Sequence, residues 1–139
     1  MIQRIQSLWL FIAAICAALT YKYSFYSGNK PGKDGISEFI NLTASSHLLL
    51  LVFTGALAGG CLIIIFLYKD RKMQLWLSIA AVALSIINIV IYFGQVKKYI
   101  SGNISLTAIL SFAIPVLLLL AVRGIWKDEK LVKSLDRLR

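Results

Sequence analysis

Four long stretches without a charged residue divide the chain, and Lys and Arg crowd into the gaps between them. The stretches cover residues 5–21, 39–68, 73–96 and 99–122, which are 17, 30, 24 and 24 residues long. A helix needs about 20 apolar residues to cross the hydrocarbon of a bilayer. Because lipid offers no partner to an unpaired backbone group, each stretch predicts a transmembrane helix rather than a strand.

Flanking residues set the predicted bounds of these helices. Tyr21, Tyr23, Phe25 and Tyr26 are typical of an interfacial aromatic belt and extend the first helix, whereas the polar "NLTASSH" shortens the second. The predicted fold class is an all-α integral membrane protein with one domain, 1–139, that is a four-transmembrane-helix bundle. Its parts are helices at about 5–26, 47–68, 73–96 and 104–122, an extracytoplasmic loop 27–46 with a short helix over 36–42, and a cytoplasmic amphipathic tail 123–139.

Composition agrees with a membrane protein. Apolar residues make up 59% of the chain and charged residues 15%, against about 45–50% and about 25% in soluble domains. The mean hydropathy is +0.80. A soluble fold is thereby disfavoured.

The distribution of positive charge orients the bundle, because Lys and Arg are retained on the cytoplasmic side. With both termini in the cytoplasm, ten cations lie inside and five outside. The inner set is Arg4, Lys69, Arg71, Lys72, Arg123, Lys127, Lys130, Lys133, Arg137 and Arg139, and the outer set is Lys22, Lys30, Lys33, Lys97 and Lys98. The formal charge of +9 then reflects topology and attraction to anionic lipid, and we expect no nucleic-acid partner.

The first apolar segment also has features of a secretory leader, since Arg4 precedes an apolar run. Cleavage after Ala18 would put Cys16 and Ala18 at the positions before the cut, which is a poor match to a small-x-small site. We therefore expect the segment to be retained as an anchor.

The opening heptad "MIQRIQS", together with four spans and a basic tail, resembles a family of small bacterial inner-membrane proteins classed as a domain of unknown function. The resemblance extends over the whole chain in architecture and is specific in the heptad. It implies a multi-pass protein of the bacterial inner, or cytoplasmic, membrane. It carries over no catalytic residue.

Small and polar residues recur along the third predicted helix at steps of three and four, which places them on one face. They are Ser78, Ala81, Ser85, Asn88, Tyr92 and Gln95. Such a face packs against other helices in lipid, where small residues allow close approach and amides bond across the contact. Alternatively, Asn88 and Gln95 line a hydrated cavity for a small polar solute, or the face meets a partner protein.

Two further features concern helix contacts. Gly55 and Gly59 form a GxxxG pair in the second helix, which predicts close contact either inside the monomer or with a second copy. Pro115 in the fourth helix removes the hydrogen bond to the Ser111 carbonyl and predicts a kink. The amphipathic tail predicts either a helix lying on the leaflet or a docking helix for a partner.

The residue types that carry chemistry are sparse. His47 is the one histidine, Cys16 and Cys61 lack CxxC spacing, and the four uncharged stretches leave no Asp, Glu, Lys or Arg in the predicted membrane interior. Ion-coupled transport generally uses an ionisable group inside the membrane. We therefore expect a non-enzymatic protein without cofactor or metal.

Two functions remain open at this point. The first is a structural or accessory subunit that packs against a larger inner-membrane assembly or against copies of itself. The alternative is a small permease or channel for a neutral solute that uses the polar face of the third helix.

The predicted orientation can be tested with single cysteines in a chain lacking Cys16 and Cys61. We expect Leu131→Cys to react with an impermeant maleimide only after the cells are opened, because the tail is cytoplasmic, and Lys30→Cys to react in intact cells. Labelling of Leu131→Cys in intact cells would exclude this orientation.

Overall fold

The computed structural model describes residues 3–32, 36–67 and 70–136, and 73% of the structure is helical. Two short 3₁₀ turns, Ala44–Ser46 and Leu106–Ala108, precede the second and fourth helices. In chain order the main elements are α1 (Gln3–Leu19), β1 (Tyr26–Pro31), β2 (Ser37–Leu42), α2 (Leu48–Phe66), α3 (Arg71–Val96), β3 (Ser101–Ile104) and α4 (Ile109–Asp136).

The four helices form a bundle in which α1 and α3 each pack against both α2 and α4. Neighbours run antiparallel, since Gln74 of α3 contacts Ile64 of α2, whereas Asn88 contacts Thr54. Small side chains allow this close packing. The core joins Leu10, Ala13 and Ala17 of α1 to Leu57 and Cys61 of α2 and to Leu118 and Ala121 of α4.

Three of the four helices have the length and composition of membrane spans. Three segments, Leu48–Phe66, Arg71–Val96 and Leu106–Val132, are long and apolar enough to cross a bilayer, and Ile5–Leu19 is a shorter apolar helix. Large apolar side chains such as Phe66, Val90 and Leu119 lie exposed on the outside of the bundle. By composition, this is a membrane protein.

A three-stranded antiparallel sheet covers one end of the bundle, where the sequence predicted no strands. Its order is β2-β1-β3, so β1 pairs on both sides. The prediction of a short helix over 36–42 was wrong, because residues 37–42 pair with β1. From residue 39 onward exposure alternates, since Phe39 and Asn41 are exposed whereas Ile40 is partly buried and Leu42 is buried. Alternation with a period of two is the pattern of a strand.

Aromatic packing joins the sheet to the helices. Tyr26 of β1 meets Tyr99 edge to face, with ring centroids 5.2 Å apart. Burial and then the neighbouring Tyr26 raise the pKa of Tyr99 above its usual value, so this phenol stays neutral at physiological pH. The contact anchors β1 beside the end of α3.

The first helix is shorter than predicted, ending at Leu19 rather than at about 26. Phe25 and Tyr26, which follow, are buried against the bundle instead of extending the helix, whereas Tyr23 is exposed. Phe25 stacks on Tyr92 with ring centroids 4.4 Å apart, and its amide donates to the Leu42 carbonyl at 2.7 Å. Contacts with distant segments therefore decide where Phe25 lies, and the sequence pattern of an interfacial aromatic belt does not extend the helix.

The fourth helix is longer than predicted, since α4 continues without interruption from Ile109 to Asp136. Residues 123–136 thus continue the fourth helix rather than forming a separate tail helix. The reason is packing: buried positions recur at steps of four and three through Ile114, Leu118, Ala121, Ile125 and Asp128. Pro115 lies inside this helix, and its kink stays a prediction.

Some predicted features lie outside the described residues. These are the end of the second span at Tyr68 and the cations Lys33, Lys69, Arg137 and Arg139.

The paired glycines of the sheet generate a prediction. Gly28 faces Gly102 in the register, and a Cβ at Gly28 would lie 2.8 Å from the Gly102 Cα. We expect Gly28→Ala to destabilise the protein by about 2 kcal/mol, because the two backbones must separate. The measurement is a melt in detergent that follows labelling of the buried Cys61 thiol.

Gly94→Ala is the matched control, since a Cβ at Gly94 meets no atom within 4 Å. Equal melting temperatures for the two variants would contradict the close approach of β1 and β3.

Candidate functional site

The polar face of α3 points into the bundle. Ser78, Ser85, Asn88 and Tyr92 are all buried, and Gln95 at the end of the helix is partly buried. Asn88 on this face bonds to α2, and Tyr92 stacks on Phe25. The small and polar residues that the sequence places on one face of α3, here called the stripe, therefore form one continuous internal surface from Ser78 to Tyr92.

The two serines on this face are bonded within their own helix. Ser78 Oγ donates to the Gln74 carbonyl at 2.8 Å, and Ser85 Oγ donates to the Val82 carbonyl at 2.7 Å. A hydroxyl that bonds back to its own helix needs no partner elsewhere. These residues act as small packing positions with satisfied polar groups.

The next residue of the stripe bonds across helices. Asn88 Nδ2 donates to Thr54 Oγ1 of α2 at 3.1 Å, and both side chains are buried. Asn88 Oδ1 has no hydrogen-bond partner. Because burying an unpaired polar atom costs free energy, this oxygen marks a position where a small hydrogen-bond donor would be stabilised.

Tyr92 lies one turn further along the same face. Its ring stacks on Phe25, while its buried hydroxyl lies beside Thr20 and Thr54 without a hydrogen bond to either. Thr20 Oγ1 instead donates to the Ala17 carbonyl at 2.7 Å. We call Thr20, Thr54, Asn88 and Tyr92 the polar cluster.

The polar cluster can bind by hydrogen bonding alone. Its members are two hydroxyls of threonine, one phenol and one amide, and none of the four is charged at neutral pH. It suits a buried water molecule or a small neutral solute. General acid–base chemistry at neutral pH needs a group with a pKa near 7, which these side chains do not supply.

Gln74 extends the stripe toward the other end of α3, and the sequence analysis missed it. Its Nε2 donates at 3.2 Å to the carbonyl of Ile64, which lies in the last turn of α2, where helix carbonyls commonly accept bonds from side chains. The signal was present, because Gln74 precedes Ser78 by four positions.

The two glycines of the GxxxG pair have different surroundings. A Cβ at Gly55 would lie 3.0 Å from the Tyr21 hydroxyl, which donates to the Leu51 carbonyl at 2.7 Å. A Cβ at Gly59 would meet no atom within 4 Å. Gly55 therefore makes room for Tyr21 inside the monomer, whereas Gly59 faces open space.

A second buried polar contact lies at the end of the bundle near both chain termini. Gln6 Nε2 of α1 donates to Asp128 Oδ2 of α4, and Gly124 makes room for the Gln6 side chain. Asp128 was assigned to the solvated tail, but its side chain is 7% exposed and its Oδ1 has no hydrogen-bond partner. The sequence did contain a signal for this burial, because Asp128 follows Ile125 by three positions and so continues the spacing of the buried residues of α4.

His47 and the cysteines have structural surroundings. His47 is the N-cap of α2, where its Nδ1 accepts a hydrogen bond from the Leu49 amide. Cys61 is buried and Cys16 is partly buried, and both are free thiols. Within residues 3–32, 36–67 and 70–136, His, Cys, Asp and Glu form no group of three that could hold a metal ion.

Comparison with known proteins identifies a family without indicating an activity. Residues 2–138 match the family described as "Domain of unknown function (DUF4293)". No curated protein and no solved structure gives a significant match. The predicted resemblance to a family of unknown function is confirmed, whereas its bacterial origin stays a prediction.

The contact between Asn88 and Thr54 can be measured by a double-mutant cycle. We expect Asn88→Leu and Thr54→Val to show a coupling free energy of about 0.5–1.5 kcal/mol, because each removes one partner of the same hydrogen bond. The free energy of unfolding in detergent is the measurement.

Ser85→Ala is the control, since this hydroxyl bonds its own helix, and its coupling to Thr54→Val should be near zero. Additive effects of the Asn88 and Thr54 substitutions would show that the bond does not stabilise the bundle.

Proposed function

The chain belongs to the DUF4293 family, and from this premise we propose that it is a non-enzymatic membrane protein, a structural or accessory subunit. It docks through its exposed helix surface on a larger membrane assembly or on a second copy of itself. The observation that carries this proposal is the unpacked small-residue surface of α2 and α3.

This surface is a groove between the two helices with a volume of about 290 Å³. Small residues form much of it, and larger aliphatic side chains complete its walls. The lining consists of Ala56, Leu57, Gly60, Ile63, Ile64, Leu77, Ala80, Ala81 and Leu84. Small residues on a membrane helix permit the backbone of another helix to approach closely.

The glycines beside the groove support a docking role. Neither Gly59 nor Gly60 has an atom within 4 Å of where its Cβ would lie. Packing within the described residues therefore does not explain why these two positions lack a side chain. A helix of a partner would fit against them.

Exposed apolar residues of the sheet provide a second contact surface. Both β2 and β3 are edge strands, and edges with unpaired backbone groups are prone to pair with another chain. Phe39 of β2, Ile104 of β3 and the following Leu106 are largely exposed. A partner with an extracytoplasmic part could cover them.

The polar face of α3 supports a second candidate, a small permease or channel for a neutral solute. The unpartnered Asn88 Oδ1 and Tyr92 hydroxyl favour it, since both could bond a solute. Against it, Ser78 and Ser85 on the same face are already bonded and buried. The docking role therefore has the stronger support.

The proposal includes the bacterial inner membrane as location, with both termini in the cytoplasm. Contact between Gln6 and Asp128 supports a topology with both termini on one side. Positive charge on the tail and on the start of α3 favours the cytoplasm for that side.

The docking role predicts the effect of bulk in the groove. In native membranes extracted with mild detergent, we expect the tagged protein to migrate with a stoichiometric partner or as a homo-oligomer, identified by mass spectrometry. Gly60→Leu and Ala80→Leu should reduce the associated protein about tenfold, because filling a helix contact at its centre costs more than about 1.4 kcal/mol.

Gly94→Leu and Ala83→Leu are matched controls, because both positions are exposed on α3 and neither lines the groove. A lone monomer would contradict the docking role. It would favour the second candidate, which requires solute flux into proteoliposomes that falls when Asn88 and Gln95 are replaced by Leu.

A further inference from the structure

Two adjoining grooves lie on the α3 and α4 side of the bundle, at the end that carries both chain termini. The first has a volume of about 520 Å³ and is lined by Leu75, Ile79, Leu119, Val122, Arg123 and Trp126. The second has a volume of about 460 Å³ and is lined by Arg123, Trp126, Lys127, Lys130, Leu131 and Ser134. Since they share Arg123 and Trp126, they form one surface.

The chemistry of this surface changes along α4. Up to Val122 its lining is aliphatic, and from Arg123 onward it carries three exposed cations. Arg123, Lys127 and Lys130 are spaced by four and three positions, so they share one face of the helix. An elongated molecule with an apolar end and an anionic end would match this order.

The described lining of the basic part contains no acidic residue that would neutralise these cations. Asp128, which follows Lys127, is buried on the opposite side of the helix against Gln6. The basic groove therefore has a net positive charge toward solvent.

Trp126 marks the depth at which the two parts meet. Its side chain is 61% exposed and lines both grooves. The amphipathic indole ring prefers the level of the lipid headgroups, where its apolar body and its N–H are both accommodated. Arg123, at the same junction, is then at the level of a phosphate group.

We propose that this surface is a binding site for one anionic phospholipid. An acyl chain lies along Leu75, Ile79 and Leu119 between α3 and α4, and the phosphate is bound by Arg123, Lys127 and Lys130. The site is separate from the α2 and α3 groove, so it is independent of the proposed function.

Native mass spectrometry of the detergent-purified protein tests the site, with phosphatidylglycerol and phosphatidylethanolamine as probes. We expect one phosphatidylglycerol to bind each chain, at least tenfold more tightly than phosphatidylethanolamine. Replacing Arg123 and Lys127 together by Gln should weaken it about 30-fold, since each cation contributes about fivefold to binding of an anionic headgroup.

The charge-matched control replaces Lys97 and Lys98 by Gln, because both are exposed cations at the other end of α3. The control should bind phosphatidylglycerol like the unaltered protein. Lys130→Gln alone, expected to weaken binding about fivefold, provides a second test if the double variant does not fold.

The acyl-chain part is tested by Ile79→Trp, which fills the first groove without changing charge. It should weaken lipid binding, whereas Ile86→Trp, exposed on α3 outside the groove, should not. Equal affinity for the two lipids, full binding by the double variant, or equal effects of the two tryptophans would overturn the proposal. Displacement of the lipid by inorganic phosphate alone would show a site for a free anion and would also overturn it.

Discussion

Phe25 connects the outer sheet to the helix bundle, and the arrangement at that end depends on it. Its amide donates to the Leu42 carbonyl of β2, and its carbonyl accepts a hydrogen bond from the Ser105 amide at 3.0 Å. Its ring is stacked on Tyr92 of α3. The backbone N–H and C=O of Phe25 are thus hydrogen-bonded to two segments that are distant in the chain, while its side chain is buried against α3. The predicted continuation of α1 to about residue 26 is incompatible with these contacts, and α1 ends at Leu19.

The bundle itself depends on satisfying polar groups away from water. Ser78 and Ser85 bond their own helix, Gln74 bonds the Ile64 carbonyl in the last turn of α2, and Asn88 bonds Thr54. In lipid an unsatisfied group has no water as an alternative partner, so the two bonds between the helices, from Gln74 and from Asn88, favour one register of α2 against α3. The unpartnered Asn88 Oδ1 and Tyr92 hydroxyl are the exceptions, and they are where a small hydrogen-bonding molecule would be stabilised.

The outer surface divides into regions with different chemistry. Between α2 and α3 it is apolar and combines small residues with larger aliphatic ones, which suits a helix of another protein or copy. Between α3 and α4 it is aliphatic and then basic, which suits an anionic lipid. The proposed partner site and the proposed lipid site therefore lie between different pairs of helices.

The sequence by itself determined the membrane class and the inward face of α3, because uncharged runs and steps of three and four depend only on local order. The burial of Gln74 and of the end of α4 could have been predicted by continuing the same spacing of three and four residues along each helix. The pairing of β1 with β3 could not, because Gly28 and Gly102 are 74 positions apart and only the packed helices bring their strands together. Similarly, the sequence contained Gly55 and Gly59 as one motif, but tertiary structure decided that the first accommodates Tyr21 while the second stays open. Local patterns determine which face of an element is apolar or polar, whereas contacts between distant segments decide what that face meets.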